Sequence, residues 1–323
     1  MTAQASEFVQ GTDEWLEARR DGIGSSDAPV IAGERGSVVA LWAEKTRQLE
    51  PEPPDPDLAR LFEWGHRLEP VIADWYSDTT GTPLRRVNRM LVHPSVPYAF
   101  ASLDRVSARK GERRIIEIKT DRWGRSEGED IPGAVKAQVQ HQLWVTDYEV
   151  ADVVTLVGGS EPRIIEEARD DDYITDLAFL EADFWHHKET MTPPRADGSE
   201  NTRRAIARMH PRDDGTILPA TDDLRILAEQ LRDARIAKKA ADEYEGSVSN
   251  ALRLILGDAS GVDGVLTFRK NADSTRVNWP ALASAYRTML EETTPGDILD
   301  TLQSIHTSTS EGPRVIRLSK EKP

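Results

Sequence analysis

The stretch that most limits what this chain can fold into is Arg113-Arg114-Ile115-Ile116-Glu117-Ile118-Lys119-Thr120. In a β-strand successive side chains point to opposite faces. Ile116 and Ile118 then face a core, while Glu117 and Lys119 emerge together on the other side. A carboxylate and an ammonium sharing one small space suit phosphodiester hydrolysis, in which the acid holds a divalent metal and the lysine orients a water or steadies charge on the phosphate. A surface salt-bridge strand is the ordinary reading of any Glu-x-Lys. Here the pattern is isolated, because no other lysine of the chain has an acid two residues before it, and the neighbours decide whether a site exists.

Three strands are expected, at about residues 84–92, 98–104 and 113–120. In the middle one Tyr98, Phe100, Ser102 and Asp104 share a face, opposite Ala99, Ala101 and Leu103. An aspartate ending that strand lies across a hairpin from the Glu-x-Lys of the next. Asp104, Glu117 and Lys119 together make the acid, acid, lysine set of a metal-dependent nuclease.

Two helices bear on this set. One, over about residues 57–78, carries Leu58, Leu61, Phe62, Leu68, Ile72 and Tyr76 as one apolar face, and Glu69 falls inside the stripe. An unpaired buried carboxylate is costly, so Glu69 either meets a basic partner or approaches a metal site. Gly65, one turn earlier, would let another backbone come close. The other helix, residues 133–146, contains Ala137-Gln-Val-Gln-His141. Gln138 and Gln140 point about 200° apart on it, so only one can face the site. Val135, Val139 and Leu143 mark the buried side, with Gln138 at its edge.

Near the start, Thr12 begins a helix with Asp13 and Glu14 in its first turn, where the dipole favours acids. It runs through Trp15, Leu16 and Arg19 and stops at Asp21-Gly22. Gly22-Ile-Gly-Ser-Ser-Asp27-Ala-Pro29 then reads as a turn feeding another helix start, with Ser26 or Asp27 as cap and Pro29 in the first turn. Free backbone N–H groups, two serine hydroxyls and Arg19 or Arg20 nearby make a phosphate seat. An ordinary capped turn is the alternative.

With 323 residues, one large domain plus an appendage is expected. The chain has no cysteine, which removes disulfides, thiolate zinc sites, iron-sulfur clusters and cysteine nucleophiles together. Residues 1–11 lack a basic segment followed by an apolar run, and nowhere do about eighteen apolar residues follow one another. A soluble cytoplasmic protein is the expectation. The net charge of −15 argues at first against a nucleic-acid partner. Within residues 105–125, however, eight basic side chains (Arg105, Arg109, Lys110, Arg113, Arg114, Lys119, Arg122, Arg125) stand against Glu112, Glu117 and Asp121. A local basic rim on an acidic body would admit DNA at one place and repel it elsewhere.

Residues 1–192 are expected to form the catalytic domain, completed by strands near 149–157 and 163–168 and a helix at 170–188 in which Phe184 and Trp185 pack. His186 and His187 lack a third ligand at suitable spacing and read as surface. A linker is expected at 193–220, and residues 221–323 form a helical and β extension. In it residues 221–256 are helical, with Leu224, Leu227, Leu231 and Ala234 at 3-4 spacing and Lys238-Lys239 outside. Short strands are expected at 264–269, 275–278 and 314–318, with a helix at 280–290. The long helix reads as a coiled arm for self-assembly or a partner.

Six pieces in register resemble the YqaJ-type viral recombinase family, related to the exonuclease of phage lambda. They are Thr12-Asp-Glu-Trp-Leu16 with Arg19 after it, Gly24-Ser-Ser-Asp27, Trp64-Gly65 followed by Glu69, Phe100-Ala-Ser102-x-Asp104, Glu117-x-Lys119, and Ala137-Gln-Val-Gln140 leading into Leu143-Trp-Val-Thr146. The resemblance covers about residues 10–190. It implies a restriction-endonuclease-like α/β core, a central mixed sheet flanked by helices, to which this chain adds a C-terminal helical arm with a small β-sheet. It further implies magnesium-dependent 5′ to 3′ degradation of linear double-stranded DNA, leaving 3′ single-stranded tails for recombination. On this resemblance Asp104, Glu117 and the backbone carbonyl of Ile118 hold Mg²⁺, with Mn²⁺ as the alternative, and Glu69 supports the metal site. Lys119 positions the attacking water, and Gln138 contributes to that water or the scissile phosphate. Arg19, Ser26 and Ser102 match the pocket for the 5′-terminal phosphate, with Arg20 and Ser25 as neighbouring alternatives.

The implied partners are double-stranded DNA ends, a single-strand annealing protein and further copies of the chain in a ring-shaped trimer, with no membrane involved. Departures from the family pattern are Asp104-Arg105 in place of Asp-Gly, Val135 in place of a tyrosine, and residues 195–323, which have no counterpart in the lambda enzyme. Two other readings stay open: an endonuclease or end-trimming nuclease of the same fold, and a DNA-end-binding module that no longer turns over. The presence of Asp104, Glu117, Lys119 and Gln138 counts against the second.

Overall fold

Two sheets meet at the stretch around Asp104. The computed structural model describes residues 3–9, 12–52, 55–121, 131–271, 278–291 and 296–307, and the chain divides into two units, Met1–Pro211 and Arg212–Pro323. In the first unit the order is β1 (Gln4–Val9), α1 (Asp13–Arg20), β2 (Ile23–Gly24), α2 (Ala28–Ile31), α3 (Val38–Lys45), α4 (Pro56–Thr80), β3 (Leu84–Arg86), β4 (Arg89–Val92), β5 (Ala99–Ala101) and β6 (Arg105–Ser107). Then follow β7 (Arg114–Asp121), α5 (Gly133–Thr146), β8 (Val150–Val157), β9 (Glu161–Ala168), α6 (Asp171–Glu189) and α7 (Glu200–Met209). The expected mixed α/β architecture, sheets flanked by helices, is present.

The single central sheet is instead two. Strands β1-β4-β5-β2 form one and β3-β6-β7-β8-β9 the other. The second is mixed, because β7 and β8 run parallel while its other pairs are antiparallel. One expected strand is therefore cut in two and another is cut short. Residues 84–92 give one strand to each sheet, and residues 98–104 leave the first sheet after Ala101, so that the chain enters the second only at Arg105. The physical reason is local: the Asp104 carboxylate, rather than a backbone carbonyl, receives the N–H of Ile118 at 2.9 Å, which ends the ladder there.

The central strand β7 is packed on both faces. Ile116 and Ile118 lie against Ile72, Ala73 and Tyr76 of α4, while Ile115 packs with Val139 and Leu143 of α5. Each such fully buried side chain contributes roughly 1.5–3 kcal/mol, which pins the register that carries Glu117 and Lys119. The apolar stripe expected along α4 is buried only in its second half. Ile72 and Tyr76 are 3% and 2% exposed, whereas Leu58, Leu61 and Phe62 are 39%, 39% and 54% exposed, because they wall an open cleft. Gly65 is not a point of close approach, since a Cβ there would meet only Thr120 Oγ1 at 3.8 Å.

Helix α5 is also tied behind the site. His141 is fully buried, with Nδ1 2.7 Å from Glu181 Oε1 on α6 and Nε2 2.9 Å from the Phe100 carbonyl oxygen on β5. Burial opposes a charge on the ring, but Glu181 and the Phe100 carbonyl raise its pKa. The segment expected as linker carries α7, which packs on α3. Thr202 and Ala205 are buried there, and Thr202 Oγ1 shares a hydrogen bond of 2.6 Å with Ser37 Oγ.

In the second unit α8 (Asp222–Leu256) is 35 residues long and has no buried residue. A hairpin of β10 (Gly261–Val262) and β11 (Leu266–Thr267) follows, then α9 (Trp279–Glu291) and α10 (Gly296–Ile305), the last not expected from the sequence. The strand expected at 314–318 and most of that at 275–278 lie outside the described residues.

Candidate active site

The junction of the two sheets places the acids. Arg105 of β6 pairs with Ile116 of β7, so Asp104, one residue earlier, falls beside Glu117. Glu117 is 3% exposed and is held by three donors. Its Oε1 accepts from Lys119 Nζ at 2.5 Å and from Gln138 Nε2 at 2.7 Å, and its Oε2 accepts from Gln142 Nε2 at 2.8 Å. Lys119 also donates to Gln138 Oε1 at 3.0 Å. Residues four apart on a helix share a face, so Gln138 and Gln142 reach the same carboxylate from successive turns of α5.

Of the two glutamines weighed from the sequence, Gln138 is the one at the site. Gln140 points elsewhere, donating to Glu167 and to the Ala168 carbonyl at 2.7 Å each and accepting from the Asp170 amide at 3.0 Å. Gln142 was missed. The signal available for it was its spacing of one turn from Gln138.

The electrostatics of this pair are unbalanced. Burial, then the charge of Glu117, push the Asp104 carboxyl up to about 8, against the Ile118 amide and Lys119. A cation between the two carboxylates would relieve both causes. Among the described residues no group of three His, Asp or Glu side chains converges. The donors that could hold a metal are the carboxylates of Asp104 and Glu117, joined, as the family resemblance implies, by the carbonyl of Ile118, which lines the same cleft. This short, hard oxygen set suits a small cation that keeps several of its waters and uses one or two carboxylates, as Mg²⁺ does.

Glu69 meets a basic partner, the first of its two expected outcomes. Arg105 Nη1 donates to Glu69 Oε1 and, at 2.7 Å, to the Asp104 carbonyl oxygen, and Arg86 stands 3.6 Å from the same carboxylate. The arginine that departs from the family pattern thus couples Glu69 on α4 to the backbone of Asp104. The expected basic rim is reduced by such internal duties. Arg109 donates to the Gly81 carbonyl at 2.9 Å, and Arg114 donates to Asp152 at 2.5 Å and to Glu166 at 2.8 Å. Arg122 and Arg125 lie outside the described residues.

A second cluster lines the same cleft. Gly22 and Gly24 let their loop lie on β5: a Cβ on Gly24 would fall 2.7 Å from the Phe100 ring, and one on Gly22 2.6 Å from the Tyr98 carbonyl oxygen. The loop therefore sits beside Ser102. Arg19, over the Trp15 ring at 4.7 Å, donates to Ser26 Oγ at 2.5 Å. The buried hydroxyls of Ser25 and Ser102 have no hydrogen-bond partner. Orphan hydroxyls beside a guanidinium suit an incoming anion. Helix α2 is a single turn, so the seat rests on these side chains rather than on a helix start. Arg20 turns away, to Glu50 at 3.2 Å.

Asp27 does not cap α2 through its side chain. It accepts instead from the Gly24 amide at 2.9 Å and from Lys45 at 2.5 Å, and Lys45 also donates to the Arg19 carbonyl at 2.6 Å. Burial works against the Asp27 charge, but Lys45 outweighs it and holds the carboxyl below its usual range. Lys45 thus joins the end of α1 to the serine loop. In Lys45→Met a buried carboxylate loses its partner, and about 3 kcal/mol of stability is expected to go. Thermal unfolding reads the loss, and adding Asp27→Asn should recover much of it. No recovery would remove the charge pair from the account.

Both clusters open into one cleft of about 1450 Å³, roofed by the exposed apolar half of α4. It brings together every site residue expected from the sequence: Arg19, Ser26, Glu69, Ser102, Asp104, Glu117, Ile118, Lys119 and Gln138.

Comparison with known proteins gives four similarities. A family model described as YqaJ-like viral recombinase domain matches residues 14–149. The YqaJ protein of Bacillus subtilis strain 168 is 34% identical over 226 residues, which cover 65% of this chain and 68% of that protein. Among solved structures, the alkaline exonuclease LHK-Exo of Laribacter hongkongensis aligns over 62% of this chain and 100% of its own, at 19% identity and a TM-score of 0.46. A phage related exonuclease of Haemophilus somnus 129PT aligns over 53% of this chain and 94% of its own, at 12% identity and a TM-score of 0.42.

Proposed function

The chain belongs to the YqaJ-like viral recombinase domain family, and from that premise we propose that it is a metal-dependent 5′ to 3′ exonuclease on linear double-stranded DNA, leaving 3′ single-stranded tails for phage-type homologous recombination. The observation that carries this reading is the single cleft in which the carboxylate centre and the anion seat open side by side. A terminal phosphate held by Arg19, Ser26 and Ser102, with Ser25 beside them, would set an adjacent phosphodiester at Asp104 and Glu117. Hydrolysis would then begin only at an end.

The residues divide the work. Asp104, Glu117 and the Ile118 carbonyl would hold a divalent ion, which when bound would supply Lewis-acid stabilisation of the phosphate and activation of water. Mg²⁺ is the proposed ion, with Mn²⁺ as the substitute. Gln138 and Gln142 fix both oxygens of Glu117 before substrate arrives, the preorganisation on which electrostatic catalysis depends. An ammonium has three donors. Lys119 gives one to Glu117 and one to Gln138, leaving a third for the attacking water or a phosphate oxygen. Glu69 supports the centre through Arg105. A single-strand annealing protein and further copies of the chain, arranged as a ring, are the proposed protein partners. No helix among the described residues is long and apolar enough to cross a membrane.

The test uses linear duplexes labelled separately at the 5′ and 3′ ends, with Mg²⁺ or EDTA, beside a covalently closed circle. Early Mg²⁺-dependent release of the 5′ label with the circle intact is expected. Cutting of the circle would favour an endonuclease, and binding without cleavage under any metal would leave a DNA-end-binding module. Arg19→Ala should lower the preference for 5′-phosphorylated over 5′-hydroxyl ends by roughly 10- to 100-fold, the weight of a hydrogen bond to a charged group. An unchanged preference would move the phosphate seat elsewhere.

A further inference from the structure

Helix α8 poses a problem of its own. A helix of 35 residues with no buried side chain keeps little stability from packing, which is where most helix stability in proteins arises. Yet its sequence is not that of a solvated rod. Positions 224, 227, 231, 234, 238, 241, 245, 248, 252 and 255 follow a strict alternation of three and four residues, and eight of these ten are apolar: Leu, Leu, Leu, Ala, Ala, Val, Leu and Ile. Leu224, Leu227, Val248, Leu252 and Ile255 are between 40% and 81% exposed. A repeat of 3.5 residues held this long is the seam of a left-handed coiled coil. It runs for about 46 Å at 1.5 Å per residue.

The two exceptions are Lys238, which the shorter stripe read from the sequence left outside, and Glu245. They have opposite sign, sit in the middle of the seam, and choose the partner. In a parallel pair of identical helices in register, Lys238 would meet the partner's Lys238 and Glu245 the partner's Glu245. Two like charges would be desolvated against each other. In an antiparallel pair with its two-fold axis between Lys239 and Ala240, the large apolar residues meet at both ends. Leu224 faces the partner's Ile255, Leu227 the partner's Leu252, and Leu231 the partner's Val248. In the middle Lys238 faces the partner's Ala241 and Glu245 the partner's Ala234, small residues that leave room. Lys238 then lies one turn, about 6 Å along the axis, from the partner's Glu245, and the pair forms twice.

We infer that α8 is a self-association arm, pairing antiparallel with the α8 of a second copy of this chain through the seam from Leu224 to Ile255. Burial of the seam is what gives the long helix its stability, and the two central charges set its direction. The inference is independent of the nuclease reading, because it uses no residue of the cleft.

The test uses the full chain, which has no cysteine. Leu224→Cys and Ile255→Cys proteins are prepared separately, treated with a short bifunctional thiol reagent alone and then mixed. Antiparallel pairing gives a cross-linked dimer only in the mixture. Cross-linking of each variant with itself would overturn the antiparallel arrangement, and none in any sample would overturn the arm. Sedimentation velocity gives a second readout that does not disturb the apolar seam. Lys238→Glu should weaken dimerisation by at least roughly tenfold, and Lys238→Glu with Glu245→Lys should restore it. An assembly indifferent to Lys238→Glu, or one that the double exchange fails to restore, would also refute the proposal.

Discussion

Lys119→Ala is expected to lower cleavage of a linear duplex by roughly 10²- to 10⁴-fold, the range for losing a positioned proton donor or charge stabiliser, while the protein still binds DNA ends. The split between turnover and binding follows from the contacts. Glu117 loses one of three donors but keeps Gln138 and Gln142, at 2.7 and 2.8 Å, so the buried carboxylate stays satisfied and the strand stays in place. The anion seat is built without Lys119, which bonds to Glu117 and Gln138, whereas Arg19 donates to Ser26 Oγ at 2.5 Å. What disappears is the one ammonium among the described residues that lines the cleft, where it is bonded to Glu117. Single-turnover cleavage beside a binding titration separates the two effects. Near-wild-type turnover would sink the mechanism, and loss of binding in parallel with turnover would make Lys119 a DNA anchor instead.

The second large effect concerns metal-free protein and Asp104→Asn. Burial and the Glu117 charge push the Asp104 carboxyl up to about 8 in the folded chain, against an ordinary 3.8. Between those values the folded state keeps a proton that the unfolded state has released. The contribution to stability is therefore full below about pH 4 and is lost as pH rises through about 8, at a ceiling of about 1.4 kcal/mol per pH unit. In EDTA, raising the pH from 5 to 8.5 should lower the melting temperature of the wild type more than that of Asp104→Asn, which cannot ionise. Adding Mg²⁺ at the upper pH should raise the melting temperature of the wild type by several degrees, since a ligand that binds only the folded state stabilises it. Asp104→Asn should show little response and no cleavage. Identical pH profiles and identical Mg²⁺ responses in the two proteins would remove the metal from this pair of carboxylates.

The centre of the site was legible because it rests on short-range periodicity. Alternation along β7 separates Ile116 and Ile118 from Glu117 and Lys119, and the buried positions Val139 and Leu143 orient Gln138 on α5. What escaped depends on partners distant in sequence. Glu69 and Arg105 are brought together by two different elements, so the helix stripe alone left the acid with two possible fates. Helix α7 was read as linker because its buried residues, Thr202 and Ala205, are small, and the helix is only 10 residues long within a polar, proline-containing stretch. The break in the strand at Ser102–Asp104 arises from one side chain taking a ladder hydrogen bond, and alternation of residue types carries no trace of that exchange. Lys238 was set outside the apolar stripe because only four positions of the repeat were read, too few to distinguish a period of 3.5 from one of 3.6.

The buried histidine on α5 changes how much charge the molecule carries. Both ring nitrogens of His141 face oxygens, those of Glu181 and of the Phe100 carbonyl. A neutral imidazole with an ionised carboxylate would leave one ring lone pair against an acceptor. The ring therefore holds a second proton, in line with the upward push of Glu181 and the carbonyl on its pKa, and the pair is neutral as a unit. Asp104, titrating at about 8, keeps a proton at neutral pH in the metal-free chain. The formal charge of −15 counts histidine as neutral and every acid as ionised, so the metal-free folded chain is less negative at these two places than its sequence implies. One of these protons lies in the cleft and the other directly behind it, where a polyanion approaching an acidic protein would feel the difference most.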